Sequence, residues 1–159
     1  MKTNFAFALS LLFSAHAFAA APATLQAETS FHTDRADYKV HGTFKLKKEN
    51  AKKVTYLGKV VLEDRSFTGR AKEVDADLVV EAKATSFVEK APKWVGTLQF
   101  GDLTLYSFEF EQPTELPTSD VAVRAEFQQT QYDPGPPDSP IGGIWIPVAS
   151  HATEITLSY

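Results

Sequence analysis

Apolar and polar side chains alternate with a period of two along most of the chain. In Tyr38–Lys47 one face reads Tyr38, Val40, Gly42, Phe44, Leu46, and the other carries Lys39, His41, Thr43, Lys45 and Lys47. Strict alternation of this kind marks a half-buried strand. Val54–Glu63 repeats it, with Val54, Tyr56, Gly58, Val60 and Leu62 aligned. Ala76–Glu89 sets Ala76, Leu78, Val80 and Ala82 against Asp77, Glu81, Lys83 and Glu89, while Val121–Gln131 and Thr153–Tyr159 behave alike. The β-branched and aromatic content of these runs favours strands over helices.

Lys93–Glu111 reads as a hairpin whose two-residue turn is Gly101-Asp102. Its second limb has a phase problem: Leu103 and Leu105 fall on one face, and Tyr106, Phe108 and Phe110 on the other. Either both faces are buried there, or a bulge near Ser107 shifts the alternation. Lys47–Lys53 is a charged hairpin tip, and Gln112–Asp120 an irregular connection. After residue 20 no stretch has helical periodicity and no repeat occurs. The pattern predicts an all-β chain of seven to nine short antiparallel strands, as a β-sandwich or a small closed barrel.

The first twenty residues stand apart. Met1-Lys2-Thr3-Asn4 is a short positive start, Phe5–Phe13 is apolar, and Ala15–Ala20 offers small residues at A-x-A spacing. That is the form of a secretory signal removed after Ala19 or Ala20, with an apolar run too short to span a bilayer. The expectation is a cleaved segment 1–20 and one all-β domain over 21–159, in a secreted or periplasmic protein. About 140 residues bury enough surface to be stable unaided, consistent with the absence of cysteine. Without cysteine there is no thiol catalysis, thiolate zinc site or iron–sulfur cluster. Cleavage removes one base, Lys2, and no acid, leaving 15 basic and 20 acidic residues. That balance argues against general nucleic-acid binding.

Binary patterning is blind to one inversion. Each strand has one face free of charge, which a water-soluble protein turns inward and a small outer-membrane barrel turns outward to lipid. The C-terminal Ile155, Leu157 and Tyr159 suit the membrane alternative. Lys45, Lys59 and Lys83 do not, since they would crowd a narrow lumen.

Catalytic chemistry finds little purchase. His32 and His41 flank a turn near Arg35-Ala36 and, with Asp34, would offer two imidazoles and a carboxylate to a metal. His41, however, lies among Lys39, Thr43 and Lys45, so surface histidines are the simpler expectation, and no metal site or cofactor is assigned. Ser150 and His151 are neighbours whose side chains leave a strand on opposite faces, so they cannot pair as nucleophile and base. No G-x-S-x-G, H-E-x-x-H or phosphate-cradling glycine loop is present. Asp133 and Asp138 lack the dense ligand spacing of a calcium loop. The basic tip, Lys45 to Lys53, reads as a solvated hairpin end that discourages edge pairing.

Tyr132–Pro147 holds five of the nine prolines and three of the eight glycines. A central strand would not carry Pro147, so the segment is an edge or a loop. Trp145 there, with Ile144, Ile146 and Tyr132, either anchors a partner or plugs one end of the core. In a barrel, Phe44 and Tyr56 would line a cavity in which Gly42 and Gly58 leave room for an apolar ligand.

Val40-His-Gly-Thr-Phe44 and Gly101-Asp-Leu-Thr-Leu105 resemble segments of the periplasmic lipocalin-like family that binds polyisoprenoids. The family's Arg-Asp-x-His-Leu segment has no counterpart between them. The resemblance implies an apolar-ligand barrel. The functional expectation is a non-enzymatic binding protein whose ligand is a small apolar molecule in the barrel, or a protein or envelope partner at the loops. The alternatives are an eight-stranded outer-membrane barrel and an envelope enzyme with an unrecognised site.

Overall fold

The computed structural model describes residues 21–50, 52–65, 70–83, 93–112, 121–137 and 142–158. The expected signal segment 1–20, the connection 113–120, the far end of the third alternating run and Asp138 lie outside them. Eight strands follow in chain order: β1 (Thr24–His32), β2 (Asp37–Asn50), β3 (Lys53–Asp64), β4 (Ala71–Lys83), β5 (Lys93–Gly101), β6 (Thr104–Gln112), β7 (Val121–Asp133) and β8 (Ile144–Ser158). Each pairs antiparallel with the next, and β8 returns to β1, so the sheet closes as a barrel. The ladders are unequal. β7 and β8 pair from Val121↔Leu157 to Asp133↔Ile144, whereas closure rests on four pairs, Gln26↔Ser158 to Thr29↔Ile155.

Closure removes sheet edges and turns one face of every strand inward. β1 shows this without a break, with Leu25, Ala27, Thr29 and Phe31 buried and their neighbours exposed. Its sequence signal is weak because two of the four inward residues are alanine and threonine. The outward faces carry ion pairs: Glu28 with Lys39 at 2.9 Å, Lys59 with Glu73 at 2.7 Å and Lys53 with Glu81 at 3.6 Å. The apolar faces therefore point into the barrel, the reverse of what a lipid-embedded barrel presents.

The interior is filled by side chains. Phe44, Phe108, Phe127, Leu78, Leu98, Ile155 and Leu157 are almost wholly withdrawn from solvent. Glycines sit where rings need space. Gly58 is the register partner of Phe44, and a β-carbon added to it would meet the Phe44 ring at 3.0 Å. The room expected beside Gly58 is taken by Phe44 itself, and Phe44 and Tyr56 are packed in the core. Trp94, 6% exposed and near the start of β5, belongs to this core. Trp145, expected as one candidate for the core plug, is 48% exposed.

Three sequence expectations shift in detail. β4 begins at Ala71 rather than Ala76. The β5–β6 register closes at Gly101↔Leu105 without a bulge, so Gly101 ends β5 and Leu103 belongs to the turn. That resolves the phase problem: Tyr106, Phe108 and Phe110 share the inward face, and Leu105 is half-buried on the outer one. Gly101 adopts φ 107°, a conformation that L side chains rarely adopt. Finally β8 starts at Ile144, well before Thr153, so the segment carrying Pro147 is a strand.

Candidate binding arm

The turns β1–β2, β3–β4, β5–β6 and β7–β8 all lie at one end of the barrel, as an up-and-down topology requires. There β7 and β8 outrun their neighbours. β1 pairs with β8 only as far as Ile155, so residues 144–154 of β8 have β7 on one side and no ladder on the other. Pro147 falls within this free-edged stretch, the kind of position to which proline is confined in sheets and where it discourages further strand pairing. A register shift falls between Gln129 and Thr130 of the β7–β8 ladder, and β6 stays paired with β7 as far as Gln131.

Beyond Gln131 neither β6 nor β1 is laddered to the pair, and its end forms a projecting arm. Tyr132 and Trp145 are register partners with ring centroids 5.4 Å apart and planes tilted by 56°. Tyr132 lies over Gly143, where a β-carbon would collide with its ring. Its N–H donates to the Leu103 carbonyl at 2.9 Å, so the β5–β6 turn braces the arm from below. Asp133 Oδ1 accepts the Gly135 N–H at 2.9 Å, which orders the start of the connecting loop.

The arm is apolar and exposed. Ile144 is 56% exposed, and Trp145, Ile146 and Val148 are comparable. Among the described residues six large hydrophobic side chains are exposed, and five of them are these four and Leu103. Exposed apolar side chains scattered singly are ordinary, whereas a cluster is informative. Ile144 and Ile146 oppose Asp133 and Gln131, while Trp145 opposes Tyr132, so both faces of the arm carry apolar groups. The residues 129–150 include no lysine or arginine.

Of the residues singled out in the sequence, Tyr132, Ile144, Trp145 and Ile146 come together here. His32 and His41 do not: their register partners are Asp37 and Glu28, so they sit four rungs apart along the β1–β2 hairpin, whose turn is beyond His32. His41 instead sits 3.9 Å from Glu63. Among the described residues no group of three metal-ligating side chains converges. Ser150 is exposed and His151 half-buried, on opposite faces of β8. Lys52 and Lys53 at the basic tip donate backbone N–H groups to Asn50 Oδ1, both at 2.9 Å.

One contact had no signal in the sequence. His32 stacks on His151 with centroids 3.9 Å apart and planes 23° from parallel. Burial, and then the neighbouring His32, lower the affinity of His151 for a proton, with Glu126 opposing them. Tyr106, inside the same end, is pushed above its ordinary pKa by burial and then by the nearby Tyr38 phenol. Two shallow depressions of about 380 Å³ each lie around Gly58, bordered by Leu57 together with charged groups such as Asp77 and Lys59.

No family model matches the chain, and neither a curated protein nor a solved structure is significantly similar to it.

Proposed function

We propose that this chain is an exported, non-enzymatic binding module that docks a protein partner through the β7–β8 arm. The observation that carries this reading is the clustering of Ile144, Trp145, Ile146 and Val148, all exposed, on a projection the barrel does not need for its core. Rigid aromatic and aliphatic anchors lose little entropy on binding and dominate interface energetics. The filled interior speaks for recognition outside the barrel rather than for a small molecule within it. The signal-like segment 1–20 and the charged outer wall support a water-exposed protein beyond the cytoplasm.

The partner's chemistry follows from the arm's own. Asp133 in the arm and Asp102 at its brace are exposed acids, and no base accompanies them on residues 129–150. The complementary surface is an apolar protein cleft with a basic rim. An anionic lipid surface would call for lysine or arginine at the arm.

The test is a crosslinked complex from envelope extract, its protein identified and reconstituted with the purified chain. Trp145→Ala and Ile146→Asp are expected to weaken that binding at least tenfold while leaving the barrel folded, and Glu73→Gln on the outer wall to change nothing. Equal binding by all three overturns the reading. So does sedimentation showing self-association through the arm, or binding to phosphatidylglycerol vesicles with no protein partner.

A further inference from the structure

The weakest ladder of the barrel is the one that closes it, and it ends in a pair of imidazoles. After Thr29↔Ile155 the backbone pairing of β1 with β8 stops. Two threonine hydroxyls take over, Thr29 Oγ1 donating to the Glu154 carbonyl at 2.7 Å and Thr153 Oγ1 to the Ser30 carbonyl at 2.6 Å. The next contact outward is the His32–His151 stack, 3.9 Å between centroids. His151 also rests at 4.7 Å on Phe127, which stacks at 4.5 Å on Phe31 of β1. The imidazole pair thus covers the point where the seam meets the aromatic core.

Neutral imidazoles stack without penalty, whereas two imidazolium ions at this distance repel. His151 Nε2 is buried with no hydrogen-bond partner, so a proton placed there is a buried donor without an acceptor. The charged groups facing the pair do not cancel this. Glu126 of β7 favours a proton on His151, but it is largely exposed and lies 3.4 Å from Arg124. Asp37 of β2 is the register partner of His32, and Arg65, of opposite sign, borders the same depression of about 460 Å³. The Gln129 side chain of β7 supplies only a neutral amide, whose Oε1 is itself buried without a partner.

We propose that the His32–His151 stack is an acid-sensitive latch on the closing seam: a proton on His151, against the His32 ring, parts residues 29–32 from residues 151–155 while the other seven ladders hold. The inference is independent of what docks on the arm.

The sign of the effect is fixed by which state takes the proton. In the unfolded or opened chain His151 titrates near its ordinary 6.5; in the closed barrel it does so lower. Well above pH 6.5 neither form holds the proton and the latch is closed. As pH falls below 6.5, and until the lowered value is passed, the opened form takes up more protons and the seam weakens.

Hydrogen exchange of the mature chain, compared at about pH 7.5 and pH 5 after correction for intrinsic rates, tests this. Amides of residues 29–32 and 151–155 are expected to lose at least tenfold protection at the lower pH relative to those of β3 and β4. His32→Gln, at an exposed position, is expected to reduce that difference, since burial of His151 remains, and to move the His151 ring titration seen by NMR part of the way back towards 6.5. Loss of protection shared equally by β3 and β4 overturns the latch, as does a seam response undiminished in His32→Gln. His151→Gln, where it folds, removes the titrating ring and is expected to abolish the response; a full pH response in it also overturns the proposal.

Discussion

Phe110 stands directly across the β5–β6 ladder from Gly96, and its ring fills the space that a β-carbon at Gly96 would occupy. An aromatic ring laid over a cross-strand glycine fills the inward face at a point where any other pair would leave a void or a clash. Gly96→Ala must push the ring off its rotamer or bend the strand. Overpacking of this kind costs about 1–3 kcal/mol. Urea unfolding of Gly96→Ala is expected to show that loss, and Phe110→Leu in the same background to return part of it. A full loss in both backgrounds would place the strain in the strand rather than the ring.

Phe44 and Trp145 separate core from candidate site. Phe44 is 0% exposed, so Phe44→Ala leaves a cavity and costs about 3–5 kcal/mol. Trp145→Ala removes an exposed side chain at the end of the arm and is expected to stay within about 0.5 kcal/mol of the parent. Denaturation midpoints of the two variants measure the contrast. Comparable losses from both would mean that Trp145 supports the fold and the arm is not free for a partner.

The period-two pattern made β2, β3 and β7 legible because each sets large apolar residues against charged ones. Two strands were harder for opposite reasons. β1 spends Ala27 and Thr29 on the inward face, so its apolar signal is thin although it is fully half-buried. The first half of β8 has too much signal: Ile144, Trp145, Ile146 and Val148 are apolar on both faces, and the register shift opposite Gln129 breaks the phase. Alternation disappears there because neither face is buried in the core. What marked the stretch as the candidate site was its run of prolines and glycines beside Trp145. Binary pattern left open whether the apolar faces pointed in or out. Volume resolves it: rings at Phe44 and Phe110 facing Gly58 and Gly96 make sense only as an interior filling. The His32–His151 contact was out of reach, since it depends on a register between strands more than a hundred residues apart in sequence.

Thr29 is the one buried polar side chain among the described residues, and its hydroxyl holds the Glu154 carbonyl where the closing ladder ends. Thr29→Val keeps the volume but strands that carbonyl. A hydrogen bond of this part-buried kind contributes about 0.5–1.5 kcal/mol. The loss is expected in unfolding, with hydrogen exchange rising first at residues 153–155 and 30–32. Thr29→Ser, which retains the hydroxyl, is expected to recover most of it. Equal behaviour of valine and serine variants would assign the effect to packing.

Tyr106 sets the alkaline limit of the arm end. Its phenol lies inside the barrel rim, in an aromatic cluster with Phe31 at 5.2 Å and Phe100 at 5.4 Å. Burial disfavours the phenolate, and the Tyr38 phenol adds to the effect, so the folded chain holds this proton above the ordinary 10.0. The unfolded chain gives it up near 10.0, so it binds fewer protons than the folded chain from there upward. Stability is therefore unaffected by Tyr106 below pH 10.0 and declines as pH rises from that value through the raised folded one. Urea midpoints taken across the alkaline range are expected to fall in the parent chain and to fall less steeply in Tyr106→Phe. Ultraviolet titration of Tyr106→Phe is expected to lack the latest-ionising phenol seen in the parent. A parent titration in which all phenols ionise together at the ordinary value would show that water reaches Tyr106 and that this end of the barrel is open.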